Sequence, residues 1–157
     1  MAIAVPNTPL QDLSAELRVL HKALLEAGRA DYEQQHGPIP SPTQFWHLLI
    51  HDRAFAWLRP LSELMVDLDQ LLEGAEPANA EEEGAVRGEV EHLLSPAGGE
   101  LWTTLTTVLQ REVNVATAYA SVRQIVLSLP RPATIDAAAE LHAQHRWAEV
   151  RRHRRGS

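Results

Sequence analysis

"FWHLLIHDRAFAWLRPLSEL", residues 45–64, is the stretch whose reading decides the fold. Apolar residues recur through it at helical spacing, but His51-Asp52-Arg53 interrupts them and Pro60 follows. Read as one helix, the segment runs from about Ser41 to about Glu73, with Gly74 as its C-cap. A proline inside it removes a backbone donor and clashes with the carbonyl of Ala56, four residues back. We therefore expect a kink between Phe55 and Pro60. Arg59, preceding the proline, is biased away from helical angles. "FAWLRP" then reads as a bend that exposes aromatic side chains.

Working outward, "TPLQ" at 8–11 and "SPTQ" at 41–44 share one grammar. A hydroxyl residue caps, proline takes the first helical position, and glutamine sits where a capping box needs it. The first helix should reach about His36, where Gly37-Pro38 stops it. Residues 75–84, "AEPANAEEEG", read as an acidic linker, and residues 1–7 as a disordered N-terminus. A short helix should follow to Leu94, and "SPAGG" at 95–99 breaks it. A long helix is expected over 100–129, ended by "PRP". A last alanine-rich helix should start at Thr134 and run into a basic tail, making 131–157 a C-terminal appendage to a bundle over 8–130. Strand alternation is nearly absent. The expected class is all-α. The expected architecture resembles a four-helix bundle, built on an antiparallel long hairpin with a kinked second helix and an extra C-terminal helix.

Composition narrows the chemistry. A chain of 157 residues can bury a substantial core. It has no cysteine, which removes disulfides, thiolate metal sites and cysteine nucleophiles. No signal-peptide pattern opens the chain, and no uncharged run spans a bilayer, so a cytoplasmic protein is expected. Arginine outnumbers lysine thirteen to one, as in GC-rich bacterial genomes. Residues 146–157 hold five Arg and one Glu, for +4; the rest of the chain holds nine basic and twenty acidic residues, for −11. The acidic body argues against nucleic acid. The tail, Arg151 to Arg155, is a candidate contact for an anionic partner, against a plain solvated terminus.

Placing side chains at about 100° per residue sorts them onto faces. Leu10, Leu13, Leu17, Leu20 and Leu24 form one stripe, with His21 and Asp31 in it or at its edge. Trp46, Ile50, Trp57, Leu61, Leu64 and Leu68 form another, with Arg53 inside it and His47 and His51 on its flank. On the long helix Leu101, Leu105, Val108, Leu109, Ala116, Tyr119 and Val126 are apolar, with Glu112 and Arg123 in the middle of that face. His21, Asp31, Arg53, Glu112 and Arg123 are thus an expected inward polar cluster. Buried charges need partners, so Glu112 with Arg53 or Arg123 is expected as an ion pair. A hairpin turning near residue 39 makes facing residue numbers add to about 78, which pairs Asp31 with His47 and His21 with Trp57.

His47 and His51, four apart, can face one metal ion from one helix side. Leu48 stands where the zinc-protease signature needs glutamate, so ligation would draw on Asp31 and Glu112, with zinc, iron or manganese as the divalent ion. The alternative is that both histidines are amphipathic residues at the core edge. "EQQH" at 33–36 and "EVEH" at 89–92 match the Glu-x-x-His spacing of di-iron bundles, but His36 stands at a helix end. Met65 as a haem ligand yields to core filler. No phosphate loop or Ser-His-Asp order stands out.

The blocks "LHKALLEAGRADYEQQHG" and "HDRAFAWLRPLSELMVDLDQLL" resemble a group of small uncharacterised bacterial helical proteins, over roughly residues 15 to 130. "FAWLRPLSEL" is the most distinctive part of the resemblance. It implies a bacterial helical protein and carries no activity, cofactor or site with it.

The expected function is non-enzymatic: binding of a protein partner or self-association. Leu48, Phe55 and Arg59 form the surface, motivated by a second apolar patch at the bend, which either mates with a partner or lies between helices. The competing expectation is a metal-binding or metal-dependent redox bundle using Asp31, His47, His51 and Glu112.

Overall fold

The computed structural model describes residues 8–132, and six α-helices lie among these described residues; the N-terminal residues 1–7, the expected C-terminal helix and the basic tail fall outside them. Helix α1, Pro9–His36, starts as the sequence dictates. Thr8 Oγ1 accepts from the Gln11 backbone N–H at 3.3 Å, and the Gln11 side chain accepts from the Thr8 N–H at 2.8 Å. Its end falls at Gly37, whose φ of 85° is a backbone state that side chains with a Cβ disfavour. Leu10, Leu13, Leu17, Leu20, Leu24 and Ala27 are buried, confirming the stripe read from spacing.

The expected second long helix is not one helix. Helix α2, Pro42–His51, ends at Asp52, whose backbone is extended at φ −82° and ψ 138°. A 3₁₀ turn follows over Arg53–Leu58, and helix α3 runs Arg59–Glu73 to the Gly74 cap. The interruption therefore comes before the expected kink. Asp52 Oδ1 accepts from the Ala54 N–H at 2.8 Å, so the aspartate caps the turn instead of continuing the helix. Pro60 then falls in the first turn of α3, where its missing donor has no intrahelical partner to lose. Arg59 is helical, at φ −57° and ψ −43°, against the bias expected before proline.

Two other boundaries move. The acidic stretch 75–84 is not linker throughout, because helix α4, Ala80–Leu93, begins inside it. Asn79 and Glu82 form a reciprocal capping box, and three glutamates sit in the first turn, where the helix dipole favours them. The expected helix over 100–129 is two: α5, Glu100–Leu109, and α6, Val113–Ser128, joined at an extended Glu112. No glycine or proline marks that join. It lets α5 meet the 3₁₀ turn while α6 lies along α1.

Helix α1 packs against α3, α5 and α6; α3 packs on α4, and α4 on α6. Ser14 meets Asp69 and His21 meets Ser62, so facing numbers across α1 and α3 add to 83, not 78. The shift follows from the break, since α3 and not α2 is the strand of the hairpin that returns along α1. Leu61, Leu64, Leu68 and Leu71 close the core from α3; Val115, Ala118, Val122 and Val126 close it from α6. No helix among the described residues is long and apolar enough to cross a membrane.

This core separates residues that one continuous stripe would have grouped together. Leu64→Ala is expected to lower unfolding free energy by about 2–5 kcal/mol. Trp46→Ala should change it by less than about 0.5 kcal/mol. Denaturant titration of the two variants checks both; equal losses would restore the single stripe.

Candidate interaction surface

The segment 42–58 is held by its inward side chains. Phe55 is 1% exposed, at the centre of an aromatic cluster at the C-terminal end of α1. Its ring lies edge-on to Phe45 at 5.9 Å between centroids, and tilted to Tyr32 at 5.7 Å. Tyr32 in turn stacks on His36 at 4.3 Å. The Arg29 guanidinium sits 4.9 Å from the centre of the Phe45 ring and donates to Glu33 at 2.8 Å. That hydrogen bond holds the Glu33 carboxyl below the usual carboxylate range. Trp57 turns its indole N–H to the Ala54 carbonyl, 2.8 Å away. Gly28 makes this packing possible, because a Cβ there would come within 3.1 Å of the Trp57 ring.

The outward side chains are the unexpected finding. Helix α2 is largely apolar, yet none of its residues is buried. Trp46 is 63% exposed and Ile50 43%. One helical turn apart, they share a face and form a strip of apolar surface. Both were expected in the core. Asp52 explains the difference: it ends the helix before the stripe of α3 begins, so the two stripes have independent phase. The capping aspartate is the cue in the sequence, less conspicuous than the proline.

The expected surface residues divide accordingly. Phe55 is interior, so the surface cannot be centred on it. Leu48 is half-buried, and Arg59 is exposed, donating from Nη2 to the Ile50 carbonyl at 2.7 Å.

The inward polar cluster does not form. Arg53 is exposed because the 3₁₀ turn, with three residues per turn, carries it off the apolar face. Glu112 is exposed in the join between α5 and α6. Arg123 is exposed because the buried stripe of α6 runs through Val122, not through Ala116 and Tyr119. No ion pair joins Glu112 to either arginine among the described residues. Asp31, expected opposite His47, pairs instead with Arg111.

Of that cluster, His21 has the most buried setting. Its Nε2 and the Ser62 Oγ are 2.8 Å apart in a half-buried bond between α1 and α3. Burial pushes the imidazole pKa below its ordinary value.

The proposed metal ligands are not brought to one point. His47 and His51 stack with ring centres 5.9 Å apart, both exposed, while Asp31 is engaged by Arg111. Among the described residues no group of three or more His, Asp or Glu could hold a metal ion. No family model matches the chain, and no significant match was found among curated proteins or solved structures.

The lowered pKa of His21 has a definite sign. The unfolded chain holds a proton on this imidazole at pH values where the folded chain does not. Unfolding stability therefore rises with pH through the window just below about 6.5 and is lost as pH falls through it. His21→Gln, which can still bond Ser62 but cannot titrate, should flatten this dependence. Urea midpoints of both proteins on either side of the window test it; an unchanged slope would remove His21 as the source.

Proposed function

We propose that the protein is a non-enzymatic helical binding module, in which a four-helix bundle of α1, α3, α4 and α6 holds α2 outward as a recognition element. The ring of contacts α1–α3, α3–α4, α4–α6 and α6–α1 supports the bundle reading. One observation carries the functional reading: an apolar helix with no buried residue, whose largest side chain is 63% exposed. Isolated apolar side chains are ordinary on protein surfaces, but a tryptophan and an isoleucine on one face of one helix make a continuous strip. Tryptophan is also among the residues most enriched where binding energy concentrates. The aromatic cluster beneath the strip keeps α2 in place without consuming its outer face. A chain that used α2 only for stability would turn Trp46 and Ile50 inward.

The test is cross-linking in the native host. A photo-reactive residue replaces His47, which flanks the strip and leaves it intact. A discrete protein adduct is expected, to a partner or to a second copy, and Trp46→Glu should abolish it while the protein stays folded by circular dichroism. Illumination that yields no adduct, or one indifferent to Trp46→Glu, would overturn the reading.

A further inference from the structure

The strip on α2 lies beside two arginines, and their charge defines what can lie against it. Arg59 reaches back to the Ile50 carbonyl, so its guanidinium stands at the C-terminal end of the strip. That bond engages one nitrogen of a group with five N–H donors. Arg53 is exposed two residues past the end of α2. The stacked rings of His47 and His51 run along the flank. Between Pro42 and Pro60 the one carboxylate is Asp52, and its Oδ1 is turned to the Ala54 N–H.

Half of the eight described arginines are neutralised. Arg18, Arg29, Arg87 and Arg111 each hold a carboxylate. Arg53, Arg59, Arg123 and Arg131 hold none among the described residues, and two of these four, Arg53 and Arg59, follow α2 directly in a chain whose formal charge is −7. Two unpaired guanidinium groups beside an exposed apolar strip leave an unmatched positive rim on an acidic protein. A second copy docking through the same face would bring Asp52 as its one carboxylate between Pro42 and Pro60, too little acid to match those cations.

We propose that this face docks an acidic amphipathic helix of another protein, with its apolar side on Trp46 and Ile50 and its carboxylates on Arg53 and Arg59. Helix-on-helix recognition of this kind reads apolar anchors one turn apart, which is the spacing of the strip. Guanidinium groups supply planar donor pairs that fit carboxylates. The inference rests on the binding-module reading above and adds the chemistry of the partner.

The full-length protein is titrated into a fluorescein-labelled synthetic peptide with leucines at i, i+3, i+4 and i+7 and glutamates on the remaining faces. A second peptide carries lysine at every glutamate position. The glutamate peptide is expected to bind, less tightly as salt is added. Trp46→Ala should weaken it about tenfold or more, as loss of an interface anchor does. Arg53→Glu should also weaken it, and Arg53 is exposed and holds no ion pair among the described residues, so the fold is expected to survive the change. Arg53→Gln serves as a second variant should the charge reversal fail to fold. The lysine peptide should show no binding that depends on Trp46.

Trp46-dependent binding of both peptides alike would overturn the charge argument. So would failure of the glutamate peptide while the His47-position adduct still forms, because the face would then take a partner of other chemistry. An adduct made only of two copies of this chain would overturn the proposal as well, yet leave the binding module standing. If neither adduct nor peptide binding is seen, both readings fall.

Discussion

The bond from the Ala54 N–H to the Asp52 carboxylate is the interaction on which the rest of this arrangement depends. It ends α2 where apolar spacing would have carried the helix onward, and it starts the 3₁₀ turn that leads into α3. The turn advances side chains at a different angle, so Phe55 swings into the protein and Arg53 out. With the phase reset, the leucines of α3 find the core independently of α2. Pro60, the more conspicuous signal, then sits where proline is harmless.

What α3 finds is α1. Five leucines of α1 are buried almost completely, and the leucines of α3 interleave with them. Polar cross-ties set the register of the pair: Ser14 and Arg18 both bond Asp69, and His21 bonds Ser62. The Arg18–Asp69 pair is exposed and contributes little to stability. Leucine packing supplies the energy, while these few directional bonds discriminate between neighbouring registers. The charged residues expected in the interior are instead at its surface, where their hydration is kept and no desolvation needs compensating.

The same short segment does opposite things on its two sides. Phe45 points into the cluster with Tyr32 and Phe55, while Trp46, its neighbour, points to solvent. A helix of ten residues does not hold itself together in water, so α2 depends on that inward contact and on the Ser41 cap. The outward strip is left exposed by the fold. It stands beside Arg53 and Arg59, which hold no carboxylate among the described residues.

Local chemistry alone was enough for much of this. The Thr8 capping box, the Gly37 stop, the leucine stripe of α1, the Gly74 cap and the all-helical class all follow from side chains acting on backbone within a few residues. The Asn79–Glu82 box that starts α4 was equally local, and was hidden only because its glutamates read as an acidic linker. Other features belonged to the tertiary structure. The join at Gln110–Glu112 has no breaker residue; it exists where α5 meets the 3₁₀ turn and α6 lies along α1. The partner of Asp31, eighty positions away in sequence, depends on that join. The exposure of Trp46 and the burial of Phe55 likewise depend on which helix returns along α1. Periodicity identifies the apolar face of a helix, but only packing decides whether another face is there to cover it.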